Sequence, residues 1–102
     1  MAHFFYKLLP PRTTFAHDMT AEEAAVMGQH VAYWKGLIDG GLKVFALGPV
    51  ADPAGMFGIA VVEAADEAAA RELARNDPAI RQAHFGFRHE IHHMPRGVMH
   101  RS

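Results

Sequence analysis

Apolar positions along this chain fall first in a short strand-like run and then at helical spacing, and the succession repeats. His3 to Leu9 is rich in aromatic side chains and ends at Pro10-Pro11, the pattern of a strand. Pro10 to Met19 has two prolines and no period and reads as a loop, with His17 and Asp18 in a solvated turn. From Met19 to Gly41 the spacing becomes helical: Met27, Val31, Trp34, Leu37 and Ile38 recur on one face. Thr20 followed by Glu23 has the spacing of a capping box, and Glu22 and Glu23 suit the positive end of the helix dipole. Gly40 and Gly41 close the helix, because glycine accepts the left-handed backbone of a C-terminal cap. His30 lies three residues after Met27 and four before Trp34, so the apolar face carries one imidazole.

Leu42 to Leu47 reads as a second strand, ended by Gly48-Pro49. The loop Gly48 to Gly55 is either a hairpin connection or a segment that brings backbone amides close to a ligand. Met56 to Glu63 is a third strand. Asp66 caps a short helix over Glu67 to Arg75, and Asn76-Asp77-Pro78 stops it, since the residue before proline avoids helical geometry. Ala79 to Ala83 forms a brief turn. His84 to Met94 alternates again, with Phe85, Phe87, His89, Ile91 and His93 on one face. The order is strand, helix, strand, strand, helix, strand: a ferredoxin-like α+β fold, with a four-stranded antiparallel sheet and two helices on one face. Residues 1–95 make one domain and 96–102 a tail. Strand three is apolar on both sides, with Phe57, Ile59 and Val61 opposed to Met56, Ala60 and Val62. Such a sheet needs a second covering layer. Either a second copy supplies it, as a two-fold homodimer, or the loop Pro10 to Met19 and the tail do.

Composition narrows this little. The 102 residues are enough for one core; 50% are hydrophobic and 21% charged, as in globular domains. A formal net charge of -1 offers no field for nucleic acid. There is no cysteine, hence no disulfide, thiolate nucleophile or cysteine metal site. No apolar run approaches bilayer length, and Met1 to Leu9 does not match a secretory signal, so the expectation is no membrane partner and a cytoplasmic location.

The chemistry rests on histidine. His30 on an apolar face is either a core group bonded to a backbone carbonyl or the base of a site in a cleft between helix and sheet. Four of the eight histidines, His84, His89, His92 and His93, fall on strand four. His89 and His93 share a face but stand about 13 Å apart on an extended strand, too far for one ion, and no metal site is expected.

The order of His30, Tyr33 and Leu37, then Gly40 or Gly41, Gly48-Pro49 and Asp77-Pro78 resembles the YCII-related (YciI-like) domain family over almost the whole chain. The resemblance implies a dimeric α+β barrel of ferredoxin-like subunits. It also implies a pocket where a histidine and an aspartate meet, which on this chain are His30 and Asp77. Tyr33, Trp34, Gly48 and Pro49 are the candidate ligand-binding residues. The aromatic residue that often follows the family's Asp-Pro is replaced here by Ala79. Members with an assigned reaction act on small ring compounds and include a dehydrochlorinase; related barrels include muconolactone isomerase-like enzymes. A carboxylate bonded to one imidazole nitrogen fixes the tautomer and frees the other as a base. Proton abstraction of that kind serves a lyase or isomerase and needs no metal or organic cofactor. The second function class is a non-catalytic dimeric module that binds a small metabolite or a partner protein through the same cleft.

Overall fold

Phe4, Tyr6 and Leu8 are buried while His3, Phe5, Lys7 and Leu9 between them are not, and this alternation along β1 (Ala2–Leu9) decides which side of the sheet is core. The computed structural model describes residues 1–96. The expected tail over 96–102 lies, apart from Arg96, outside them. The four strands are β1, β2 (Val44–Val50), β3 (Phe57–Ala64) and β4 (Arg88–Met94), in the spatial order β2-β3-β1-β4 with every neighbouring pair antiparallel. This is the ferredoxin-like arrangement.

On the inner face Ala60, Val62 and Ala64 of β3 join Phe4, Tyr6 and Leu8, and the helices close over them. The long helix α2 (Ala21–Asp39) contributes Val26 and Trp34; α3 (Glu67–Arg75) contributes Ala70 and Ala74. Alanines at the α3 contacts let that helix sit close to the sheet, while the large side chains come from β1 and α2. The buried stripe of α2 differs in part from the expected one. Val26 is buried, whereas Val31 and Ile38 are 48% and 41% exposed. Helical spacing alone leaves the edge of an apolar stripe undetermined; the buried side of α2 carries Glu23, Val26 and Trp34, with Met27, His30 and Leu37 half-buried beside them.

The ends of α2 follow the sequence closely. The Thr20 hydroxyl accepts from the Glu23 amide at 3.1 Å, and the Glu23 carboxylate accepts from the Thr20 amide at 2.8 Å. At the other end Leu42 N–H donates to the Leu37 carbonyl and Gly41 N–H to the Ile38 carbonyl, a Schellman cap. Gly41, at φ 104°, is the residue that takes the left-handed conformation; Gly40, at φ -80°, does not.

The structure departs from the expected elements most at three places. Gly48 and Pro49 lie inside β2 rather than ending it, paired with Ile59 and Gly58. This is permitted because β2 is an edge strand, where a missing N–H on the unpaired side costs no ladder bond. The loop Pro10 to Met19 contains a one-turn helix, α1 (Phe15–Asp18), held by Arg12. The Arg12 guanidinium donates to both oxygens of Glu23, at 2.7 and 2.8 Å, and to Asp18 Oδ1 at 2.7 Å. These bonds hold the Glu23 carboxyl down at about 2, and fix Phe15 edge-on against Phe87 at 5.2 Å. Last, β4 begins at Arg88, because Ala83–Phe85 forms a 3-10 turn ended by Gly86 at φ 81°.

Candidate active site

Proline after Asp77 prevents α3 from continuing through it. Asp77 instead becomes the N-cap of a second short helix, α4 (Pro78–Arg81), with its Oδ1 accepting from the Ala79 amide at 2.9 Å. The cap places the carboxylate beneath α2, and it is wholly buried. Its Oδ2 accepts three further bonds: from His30 Nδ1 at 2.7 Å, Trp34 Nε1 at 2.9 Å and Tyr6 Oη at 3.1 Å. His30 and Trp34 are four residues apart on α2, so one helical turn brings both donors to the same oxygen. Tyr6 reaches it from β1, with its ring stacked on Trp34 at 5.4 Å between centroids.

The carboxylate thus accepts four bonds, three at Oδ2 and one at Oδ1. Burial by itself would push the Asp77 carboxyl up. The hydrogen bond and charge of His30, with the bonds from Trp34 and the Ala79 amide, outweigh it and hold the group below its usual range. The same burial and the neighbouring carboxylate push the Tyr6 phenol far up, so Tyr6 stays a donor. An ionised carboxylate can only accept, so the imidazole proton lies on Nδ1. Nε2 then carries a free lone pair. It has no partner among the described residues and is not buried.

His30 lines a cavity of about 470 Å³ between α2, the 10–19 segment and the ends of β2 and β3. Trp34, Gly48 and Pro49, three of the candidate ligand-binding residues, lie in its wall. Tyr33 does not. Its hydroxyl donates to the Leu73 carbonyl at 2.6 Å, its ring packs edge-on against Trp34, and burial pushes its phenol up to about 12. The helical step from His30 to Tyr33 turns that side chain toward α3. Ala79 is itself fully buried. Tyr6 was not among the candidates, although a signal existed: a phenol in phase with Phe4 and Leu8 faces the core and must find a hydrogen-bond partner there. Phe15 and Met19, which also line the cavity, come from the stretch read as an open loop.

Of the β4 histidines, His89 lies beside Tyr6, with ring centroids 6.1 Å apart, and the other two are placed away from this site. His92 meets Glu90 at 2.9 Å on the outer face, and His93 packs beside Phe4. Among the described residues no three histidine, aspartate or glutamate side chains gather where one metal ion would reach them. Nor is any helix of the described residues long and apolar enough to cross a membrane.

Comparison with known families places a match to the YCII-related domain on residues 8–92, which run from the end of β1 into β4 and include both His30 and Asp77. No curated protein matches the chain.

Proposed function

The chain belongs to the YCII-related domain family, and on that premise we propose that it is a cofactor-independent enzyme of the lyase or isomerase type, in which His30 removes a proton from a small organic molecule and Asp77 holds the imidazole. The observation that carries this reading is the buried Asp77 carboxylate, whose Oδ2 accepts from His30 Nδ1. It fixes the His30 proton on Nδ1 and presents Nε2, the basic nitrogen, to a cavity of ligand size. The proton taken at Nε2 makes an imidazolium whose positive charge faces the Asp77 carboxylate at 2.7 Å, in surroundings where that attraction is little screened. Returning the proton to a different carbon completes an isomerisation; expelling a leaving group from the neighbouring carbon completes an elimination.

The test is to incubate the protein in D2O with small carbon acids and follow the carbon-bound protons by NMR. Exchange that His30→Gln abolishes supports the reading. Compounds that bind in the cavity and show no exchange would overturn it in favour of a non-catalytic binding module.

The outer face of the sheet supports a second part of the proposal. Phe5, Phe57, Ile59 and Val61 share that face and are half-buried, with the exposed Phe45 beside His3. Lys7 and Arg88 stand there with Glu63 and Glu90, so the face carries both signs of charge and can pair with itself. We propose that it is the interface of a two-fold homodimer. Light scattering at micromolar concentration is expected to give about twice the chain mass. Val61→Asp, which would bury an unpaired charge, is expected to give monomers or unfolded protein. A folded wild-type monomer at that concentration would overturn the proposal.

A further inference from the structure

The walls of the cavity beside His30 are chemically one-sided. Among the described residues lining it there is no lysine, arginine, aspartate or glutamate. Two polar groups in the wall are already committed: the Tyr6 hydroxyl and the Trp34 indole N–H both donate to Asp77. His30 Nε2 is therefore the remaining side-chain polar atom that a ligand can meet, and with the proton on Nδ1 it can only accept. Beneath it lies the Asp77 carboxylate, whose charge opposes an anion in the cavity. Apart from His30, which in its neutral form presents Nε2 only as an acceptor, nothing in the wall offers a cation to offset that, and an ion brought into an apolar cavity loses its hydration without replacement. Met19, Met27 and Met56 make part of the wall, unbranched side chains that fit themselves to varied hydrocarbon shapes.

We infer that the cavity selects an uncharged, predominantly apolar molecule that carries a single hydrogen-bond donor at one end, which meets His30 Nε2, and that it rejects carboxylates of the same shape. This rests on the proposed site and deepens it, but it concerns binding and can be tested without turnover. A volume of about 470 Å³ falls in the range of sites for single small organic ligands. The polar end lies at His30 and the hydrocarbon remainder extends toward Phe15, Leu47 and Met56.

Three probes of one shape separate the terms: 4-propylphenol, its methyl ether 4-propylanisole, and 4-propylbenzoate. At neutral pH the phenol is uncharged, as the pKa of about 10 for tyrosine indicates, and the benzoate is an anion. The chain has one tryptophan, and it lines the cavity, so the Trp34 indole N–H gives a single resolved NMR signal for titration. The phenol is expected to shift that signal saturably and to bind about five- to tenfold more tightly than the ether, the value of one neutral hydrogen bond. The benzoate is expected to bind at least about a hundredfold more weakly than the phenol. In His30→Leu the phenol is expected to lose its advantage over the ether while both still bind. Benzoate binding equal to that of the phenol would overturn the inference. So would failure of the phenol and the ether to bind at all, as when a second copy fills the cavity. Phenol binding without exchange in D2O would leave this inference standing and fell the catalytic proposal alone. Exchange of carbon acids by a protein that prefers the benzoate would do the reverse.

Discussion

Asp77→Ala is expected to destabilise the protein by about 3–5 kcal/mol, the cost of removing one member from a buried, hydrogen-bonded charge pair. The carboxylate is fully buried and satisfies four donors from three parts of the chain: Tyr6 of β1, His30 and Trp34 of α2, and the Ala79 amide of α4. An alanine leaves the Tyr6 hydroxyl, the Trp34 N–H and the Ala79 N–H buried without acceptors, and each unpaired group costs about 1–3 kcal/mol. Domains of this size are stable by roughly 5–15 kcal/mol, so the variant should unfold at a much lower urea concentration or not fold at all. Tyr6→Phe removes one donor and keeps the ring, and should cost only about 1 kcal/mol. Asp77→Asn keeps the shape, but its amide cannot accept at both ends, so it should fall between the two.

The pH dependence of stability follows from the same carboxylate. Its folded value lies below the ordinary 3.8, so it contributes stability at pH values above the unfolded one. That contribution is lost as pH falls through the folded value. Wild-type protein is therefore expected to lose stability below about pH 4, and Asp77→Asn to lose less over the same range. Urea midpoints measured from pH 7 to pH 2 check both statements. A change in stability under about 1 kcal/mol for Asp77→Ala would show that the four bonds contribute nothing net.

The second large effect concerns the reaction. His30→Gln is expected to lower the rate of proton exchange by about 10²–10⁴, the usual contribution of a positioned general base. The fold should survive, because the His30 side chain is 16% exposed and glutamine can still offer an N–H toward Asp77. Since the lost group acts on the reacting proton and not on the hydrocarbon, kcat should fall and KM change little. Asp77→Asn should also slow exchange, but with a matching loss of stability. The ratio of these two losses separates a base from the residue that positions it. Equal rates in wild type and His30→Gln would exclude His30 as the base.

Much of the fold was legible along the chain because it depends on local physical chemistry. The aromatic-rich run from His3 to Leu9, ended by Pro10-Pro11, marks a strand, while which of its sides is buried is decided by packing. The Thr20–Glu23 box starts α2, and Asp66 starts α3 where the sequence places it. Asp77-Pro78 breaks the chain between α3 and α4 by the steric demand of proline. From these the order of elements and the ferredoxin-like sheet follow, because few right-handed antiparallel arrangements fit them. The His30–Asp77 pair came from the family resemblance, with the burial of an imidazole on an apolar helix face as its only local sign.

What only the tertiary structure decided is how distant groups share one atom. Tyr6 and Asp77 are 71 positions apart, and their meeting at 3.1 Å depends on the packing of β1 beneath α2 and α4. No local pattern encodes that distance. Tyr33 and Trp34 are neighbours in sequence, yet about 100° of helical rotation sends one to α3 and the other to the cavity. Gly48-Pro49 reads as a terminator until β2 is known to be an edge strand, where proline is tolerated. Phe15 reads as a loop residue until Arg12 is seen to tie Asp18, at the end of its short helix, to Glu23 of α2. Hydrophobic period and caps act within about one helical turn or one strand, and so they can be read from the chain. A site is made where such segments converge, and convergence is a property of the assembled core.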